Sequence, residues 1–152
     1  MTDKCINNGE GLNNENVCIS LPSKPEYVSV ARMTSSVIAN KIGFNIEDIE
    51  DIKVAVGEAC NNAVLHGCGS NCNFDVRFTI GYDSVIIEIK DEGRGFEVEK
   101  CPIPDMCNPK EGGLGIFIIK SLMDKVEVES SEEKGTVIRM IKYLGKEDEA
   151  YN

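Results

Sequence analysis

The sequence lacks the features that mark several common classes of protein. Its 152 residues carry 16 Lys and Arg against 26 Asp and Glu, a net charge of −10, so it has no excess of the positive charge that binds a nucleic-acid backbone. No apolar run is long enough to cross a bilayer, and residues 1–16 lack the apolar stretch of a signal peptide. We therefore expect a cytoplasmic protein that binds neither membrane nor nucleic acid directly.

Two familiar nucleotide-binding motifs are missing as well. The glycines at Gly112, Gly113 and Gly115 are not followed by Gly-Lys-Ser/Thr, which excludes a P-loop, and no strand abuts them as a dinucleotide fingerprint requires. There is a single histidine, His66, and its place at the end of a predicted helix favours a structural role over that of a ligand or base.

Seven cysteines are present, an odd number that cannot all pair within one chain. Cys18 and Cys60 fall in apolar segments, where they are expected to pack as small hydrophobic residues. A zinc site is one alternative for the others, although their spacings are looser than those of a usual paired-cysteine site. We favour reduced, unligated thiols; the zinc alternative rests on Cys68, Cys72, Cys101 and Cys107.

The apolar periodicity predicts an α+β fold. Hydrophobic residues make up 41% of the chain and charged residues 28%, which suits one globular domain. Three predicted helices and short alternating strands indicate a two-layer sandwich, in which the helices cover one face of a mixed, mostly antiparallel sheet. We place the folded domain at residues 17–144, between a flexible N-terminal tail (1–16) and a polar C-terminal tail (145–152).

The helix ends are read from capping residues. The first helix is predicted to begin at Ser23, as cap, and to run to about Lys41. The second begins after Asn45 and reaches His66, and the third runs from about Gly113 to Asp124. On the first helix the predicted buried side consists of Tyr27, Val30, Thr34, Val37 and Ile38.

A polar row lies along the second helix. Glu58, Asn62 and His66 are four residues apart, so their side chains line one edge of the apolar stripe. That stripe is predicted to consist of Ile49, Ile52, Val56, Ala59 and Ala63. An amide oxygen suits Mg²⁺, and a carboxylate one turn away suits a general base. The alternative is an exposed helix edge with incidental polar residues.

Two glycine-bearing turns follow the polar row. Asp91 ends a strand, and its carboxylate can accept a hydrogen bond from the amino group of a base, while Gly93 and Gly95 let a flat ring approach the backbone. Gly113 and Gly115 open the third helix, whose N–H groups can cradle phosphates. Taken singly, each turn is equally consistent with an ordinary surface turn or linker.

Together these segments resemble the N box and the two glycine boxes of the GHKL (Bergerat-fold) ATPases. PEYVSVAR at 25–32, IEDIKVAVGEACNNAVLHG at 49–67 and EGGLGIFIIKSLMDKVEV at 111–128 closely resemble anti-sigma factor serine-protein kinases of the RsbW and SpoIIAB type. The resemblance covers residues 17–144. It implies a homodimeric kinase that binds ATP or ADP with Mg²⁺, holds a sigma factor inactive through a surface near the first helix, and phosphorylates a serine of an anti-anti-sigma factor.

The resemblance also implies roles for individual residues. Glu58 matches the general base and Asn62 the Mg²⁺ ligand, while Asp91, with Gly93 and Gly95, matches the adenine site. The remaining nucleotide-binding positions are Gly113, Leu114, Gly115 and Thr136.

Two departures from the family pattern leave a second hypothesis open. Glu111 stands where some relatives have an arginine near the γ-phosphate, with Lys110 as a possible substitute cation, and the lid at residues 97–110 is short. The alternative is therefore an anti-sigma binding module that responds to nucleotide with weak or no kinase activity. A histidine kinase is disfavoured because no helical hairpin with a phospho-acceptor histidine precedes the fold. Whether the branch served is stress response or sporulation is left open.

Overall fold

A five-stranded sheet and three helices form the structure, a computed structural model that describes residues 15–67, 69, 71–92, 113–131 and 135–145. A short 3₁₀ turn at Pro25–Tyr27 precedes the first helix. In chain order the elements are β1 (Glu15–Pro22), α1 (Val28–Ile42), α2 (Ile46–His66), β2 (Asn73–Ile80), β3 (Ser84–Asp91), α3 (Gly113–Leu122), β4 (Lys125–Ser131) and β5 (Gly135–Tyr143).

The strands lie in the order β1-β2-β3-β5-β4, and each neighbouring pair is antiparallel. Alternate side chains of the central strands are buried under the helices, whereas the opposite face carries charged residues such as Arg77 and Glu88. The predicted two-layer α+β fold is confirmed. Its buried sheet face consists of Phe74, Val76, Phe78, Val85, Ile87, Ile89, Ile138 and Met140.

The helix α2 is the centre of the second layer, with α1 on one side of it and α3 on the other. Asn45 caps α2 as predicted, since its Oδ1 accepts a hydrogen bond of 2.8 Å from the Asp48 N–H. The predicted apolar stripe is confirmed too: Ile52, Val56 and Ala59 are fully buried against the sheet.

The predicted buried side of α1 is partly wrong. Val30 is 42% exposed and Val37 is 68% exposed, while the smaller Ala31 and Ala39 are completely buried, with Ser35 between them 1% exposed. Small residues four apart let α1 approach α2 closely, so the seam between the helices excludes the larger β-branched side chains.

The predicted cap at Ser23 is also wrong. Its Oγ is buried without a hydrogen-bond partner among the described residues, and its backbone N–H instead donates to the Cys72 carbonyl. The extended pairing of β1 with β2 carries the chain past Ser23 before it turns, so the 3₁₀ turn starts two residues later.

Other boundaries differ by a few residues. The strand β1 begins at Glu15, where Glu15 pairs with Ile80 and the next residue, Asn16, accepts a hydrogen bond from Thr79. The division into a domain and two tails stays a prediction. Among the described residues, no helix is both long and apolar enough to span a membrane.

The prediction of reduced cysteines is wrong at two positions. Cys18 and Cys72 each take part in a disulfide bond. Cys60 is free and fully buried in α2, as expected of a small hydrophobic residue. The other candidates for the zinc alternative, Cys68, Cys101 and Cys107, lie outside the described residues.

Candidate functional site

The polar row of α2 meets the start of α3. Gly115, in the first turn of α3, is buried directly against Glu58 and Asn62. A methyl group added to Gly115 would lie 3.2 Å from Glu58 Oε2 and 3.5 Å from Asn62 Nδ2. The glycine is needed for this close approach, because a side chain would occupy the space in front of both polar groups.

Asn62 is in an unusual state for a buried amide. It is only 4% exposed, yet its Nδ2 has no hydrogen-bond partner among the described residues. Leaving such a donor unsatisfied costs about 1–3 kcal/mol, so buried amides are normally paired. An unsatisfied amide beside the N-terminus of a helix is expected of a position that a ligand completes.

A second group of polar residues lies where β3 ends and β5 begins. Asp91 and Thr136 are directly opposite each other in the β3–β5 register, on the helix-covered face, and are 4% and 2% exposed. Gly135, with φ of +79°, adopts a conformation that favours glycine, and a Cβ there would collide with the Asp91 carbonyl. The glycine therefore fixes the start of β5 against the end of β3.

Lys142 shows that the two groups lie at the same end of the domain. Its Nζ is 3.9 Å from carboxylate oxygens of Asp48 and Asp51, so the start of α2 lies beside the end of β5. From there, α2 advances about 21 Å to Asn62 at 1.5 Å per residue. The strand β5, read backwards, covers about 20 Å to Thr136. The Asn62 amide and the Asp91–Thr136 pair therefore lie at about the same distance from Lys142 along the domain.

The helix α3 completes this arrangement by running antiparallel to α2. Its first turn contacts Asn62, and its last turn is held by Lys142, whose Nζ donates a hydrogen bond of 2.6 Å to the Leu122 carbonyl. The N–H groups of the first turn, which have no partner within a helix, consequently point towards the end of the sandwich that carries Asp91.

Cys60 has no part in this chemistry although it belongs to the same helix. It faces the core, and burial raises the pKa of its thiol to about 12. A thiol that stays protonated and enclosed at neutral pH is not a nucleophile. The candidate functional groups of α2 are therefore the polar ones on its other edge.

The chain is similar to a known family over most of its length. A model of the histidine kinase-like ATPase domain matches residues 21–142. The chain is 39% identical over 145 residues to the serine-protein kinase RsbW of Halalkalibacterium halodurans, covering 88% of this chain and 86% of the relative. It is 42% identical to RsbW of Staphylococcus epidermidis and 35% identical to RsbW of Bacillus subtilis, with at least 84% of each chain covered. The chain belongs to the RsbW family of histidine kinase-like ATPases.

Solved structures agree with the RsbW fold. The RsbU and RsbW domains of Rv1364c from Mycobacterium tuberculosis align with a TM-score of 0.65 at 20% identity, covering 86% of this chain and 32% of that one. A histidine kinase domain from Erythrobacter litoralis aligns with a TM-score of 0.52 at 20% identity, covering 81% of this chain and 61% of that one. At this identity the likeness concerns the fold alone.

The structure describes most of the predicted site residues and brings them together in two groups. Gly115 packs against both Glu58 and Asn62, and Asp91 is opposite Thr136 in the register of two neighbouring strands. Gly113 opens α3 as predicted, and Leu114 beside it is 44% exposed. Gly93, Gly95, the lid at 97–110, Lys110 and Glu111 lie outside the described residues. The roles of all the predicted site residues stay predictions.

Three residues that organise the site escaped the sequence interpretation. Gly135 was the easiest of the three to predict, because a glycine between a charged turn and a strand is a common sign of positive φ. Ser130, whose Oγ lies 3.0 Å from Thr136 Oγ1, is recognisable only once the β4–β5 register is known. Lys142 resembles any lysine of an alternating strand until α2 is packed over it.

Proposed function

We propose that this protein is an ATP-dependent serine-protein kinase that holds a sigma factor inactive and phosphorylates a serine of an anti-anti-sigma factor, thereby regulating transcription. The observation that carries the proposal is the contact of Glu58 and Asn62 with Gly115 at the start of α3. It combines a carboxylate, an unsatisfied buried amide and helix N–H groups, which are the components of a phosphoryl-transfer site.

The nucleotide's phosphates fit the first turn of α3. The first-turn N–H groups have no partners within the helix, so they and the helix dipole favour an anion there, and Gly113 and Gly115 leave room for it. Asn62 would supply an amide oxygen to Mg²⁺, with its Nδ2 donating to a phosphate oxygen. When bound, Mg²⁺ neutralises charge that develops on the phosphate oxygens.

The base of the nucleotide fits the other polar group. In the proposal, Asp91 accepts a hydrogen bond from the exocyclic amino group of adenine, and Thr136 beside it contributes a hydroxyl. Both side chains are buried at the end of the sheet, where water competes little for their hydrogen bonds. Gly93 and Gly95 are proposed to flank the ring.

Glu58 is proposed as the general base. It is half-buried and precedes Asn62 by one helical turn, so its carboxylate lies at the rim, while the amide lies deeper. A carboxylate at the rim can accept the proton from an incoming serine hydroxyl as its oxygen attacks the γ-phosphorus. The lid at 97–110 is proposed to close over the nucleotide.

The decisive experiment measures transfer of labelled phosphate to a serine-bearing anti-anti-sigma protein. Glu58→Gln keeps the size and polarity of the side chain but replaces one carboxylate oxygen by an amide NH₂, so it cannot act as a base. We expect at least a 10²-fold loss of transfer with ADP affinity and sigma-factor binding retained. Undiminished transfer by this variant would refute the role of Glu58.

The same assay tests the alternative of a nucleotide-responsive binding module. If the unmodified protein binds ADP and the sigma factor but transfers no label to any serine-bearing partner, the module explains the protein better. Failure to bind ADP at all would reject both versions.

Assembly and location complete the proposal. We propose a homodimer that binds the sigma factor through a surface near α1, where Met33 and Val37 are 61% and 68% exposed. Since sigma factors act on RNA polymerase, the proposed location is the cytoplasm. Light scattering of the protein alone tests the dimer. Identification of the sigma factor that co-purifies from the native cytoplasm distinguishes a stress from a sporulation partner.

A further inference from the structure

Three polar side chains form a row across neighbouring strands at the proposed base site. Asp91 of β3 is opposite Thr136 of β5, and Thr136 is in turn opposite Ser130 of β4. All three belong to the helix-covered face, because Ile89, Ile138 and Val128 precede or follow them by two positions on the same side. The Ser130 and Thr136 hydroxyl oxygens are 3.0 Å apart, a hydrogen bond in which either can donate.

The direction of this hydrogen bond decides what Thr136 offers to a ligand. A threonine hydroxyl has one proton and two acceptor positions. If Ser130 donates, the Thr136 proton is free to point towards the base; if Thr136 donates to Ser130, it offers the base only an acceptor. Thr136 is 2% exposed, so water cannot easily substitute for either arrangement.

The two arrangements favour different bases. Adenine presents a donor at its exocyclic amino group and an acceptor at N1, whereas hypoxanthine and guanine present an acceptor at O6 and a donor at N1. Asp91 as acceptor and Thr136 as donor match adenine at both positions. A Thr136 that only accepts matches adenine at one position and leaves N1 unpaired, at the cost of a buried unsatisfied acceptor.

We infer that Ser130 is a positioning residue that donates its proton to Thr136 and thereby sets the preference of the site for adenine over 6-oxopurines. The inference rests on the proposed function, since it takes Asp91 and Thr136 as the base site. Ser130 need not touch the nucleotide: it acts by fixing the rotation of a neighbouring hydroxyl that is buried and cannot be fixed by solvent.

The test compares the affinities for ADP and inosine diphosphate by calorimetry, without any measurement of kinase activity. Ser130→Ala should reduce the ratio of the two affinities by about tenfold, the typical effect of one buried hydrogen bond. Ser130→Thr keeps the hydroxyl and should restore the ratio. Ser131→Ala, at the next position of β4 and on the opposite sheet face, is the matched control and should leave the ratio unchanged.

A second measurement separates hydrogen-bond direction from general damage to the site. With 1-deaza-ADP, which lacks N1, the unmodified protein should lose affinity, and Ser130→Ala should lose less, because its Thr136 hydroxyl is no longer held in the orientation that donates to N1. Ser130→Cys, with its weaker donor, provides an intermediate value if the alanine variant does not fold. Full ADP preference in Ser130→Ala or Ser130→Cys would overturn the inference.

The proposed function fails differently from this inference. If Asp91→Ala binds ADP as tightly as the unmodified protein, the base site itself is wrongly placed. If Asp91→Ala loses ADP while Ser130→Ala keeps its preference, the base site stands and the role of Ser130 is refuted.

Discussion

Replacement of Gly115 by alanine tests the site most directly, because it adds a single methyl group. The new Cβ would lie 3.2 Å from Glu58 Oε2 and 3.6 Å from Asn62 Oδ1. Glu58 would have to move by a few tenths of an ångström, whereas Asn62 would meet the methyl in ordinary van der Waals contact, and the methyl would stand where phosphate oxygens are proposed to bind. We expect a large loss of nucleotide affinity and no loss of folding stability.

The substitution should raise or preserve folding stability while it lowers the affinity for ADP. Alanine stabilises a helix over glycine by up to about 1 kcal/mol, so Gly115→Ala should keep or slightly raise the free energy of unfolding. Removal of the space in front of Asn62 should cost one or two charge-assisted hydrogen bonds to phosphate, about 1.5–3 kcal/mol each. The expected result is a loss of ADP affinity of at least tenfold with an unfolding midpoint unchanged or higher by about 2–4 °C.

The chain supplies a matched control at Gly57 of α2. A methyl there would meet Arg32 Cδ, also at 3.2 Å, but this is the stem of a flexible and exposed side chain. Gly57→Ala should therefore show the helix stabilisation without the loss of ADP affinity. Calorimetric titration of both variants with ADP, together with thermal unfolding followed by circular dichroism, measures the two effects separately. Unchanged affinity in Gly115→Ala would show that the phosphates do not bind at the start of α3.

The remaining predictions concern stability. Below pH 9.0 the Cys60 thiol is protonated in both states; above it the unfolded chain releases the proton while the folded protein retains it to about pH 12. The free energy of unfolding should thus fall by up to about 1.4 kcal/mol per pH unit from pH 9 to 12 relative to Cys60→Ala, measured by urea titration, and parallel curves would contradict it. Lys142→Ala removes the part-buried ammonium that holds the end of α3 and should cost about 1–3 kcal/mol in the same assay. Lys41→Ala, in an exposed ion pair, should cost less than about 1 kcal/mol. Asn45→Ala removes the cap of α2 and should cost about 1 kcal/mol; a change within error would mean that the 2.8 Å hydrogen bond to Asp48 contributes nothing net.

Local signals were sufficient to predict most of the fold. The cap at Asn45, the apolar stripe of α2 and the alternation in β2 and β3 are each determined within about ten residues, and each is found in the structure. The failures arose where neighbouring elements decide. Val30 and Val37 fit a helical stripe, but contact with α2 selects the small residues of α1 instead.

The site was predicted from a resemblance more than from geometry. The spacing of Glu58 and Asn62 places them on one edge of a helix, but only the packing of α3 shows that Gly115 contacts that edge. Similarly, the pairing of Asp91 with Thr136 depends on a strand register across 45 positions of sequence, which no local pattern specifies. Ser130 was missed for the same reason.

Because α2 carries the candidate site on one edge and core residues on the other, binding of a ligand at the site should raise the melting temperature of the whole domain. One edge carries Glu58 and Asn62, while Ile52, Val56 and Cys60 on the other side have no exposed surface. A compound held by that edge therefore resists the separation of helix and sheet, adding about 2.7 kcal/mol at a concentration one hundred times its dissociation constant. Simple dye-based thermal shifts are accordingly suited to screening nucleotides and inhibitors against this protein, before any partner has been purified.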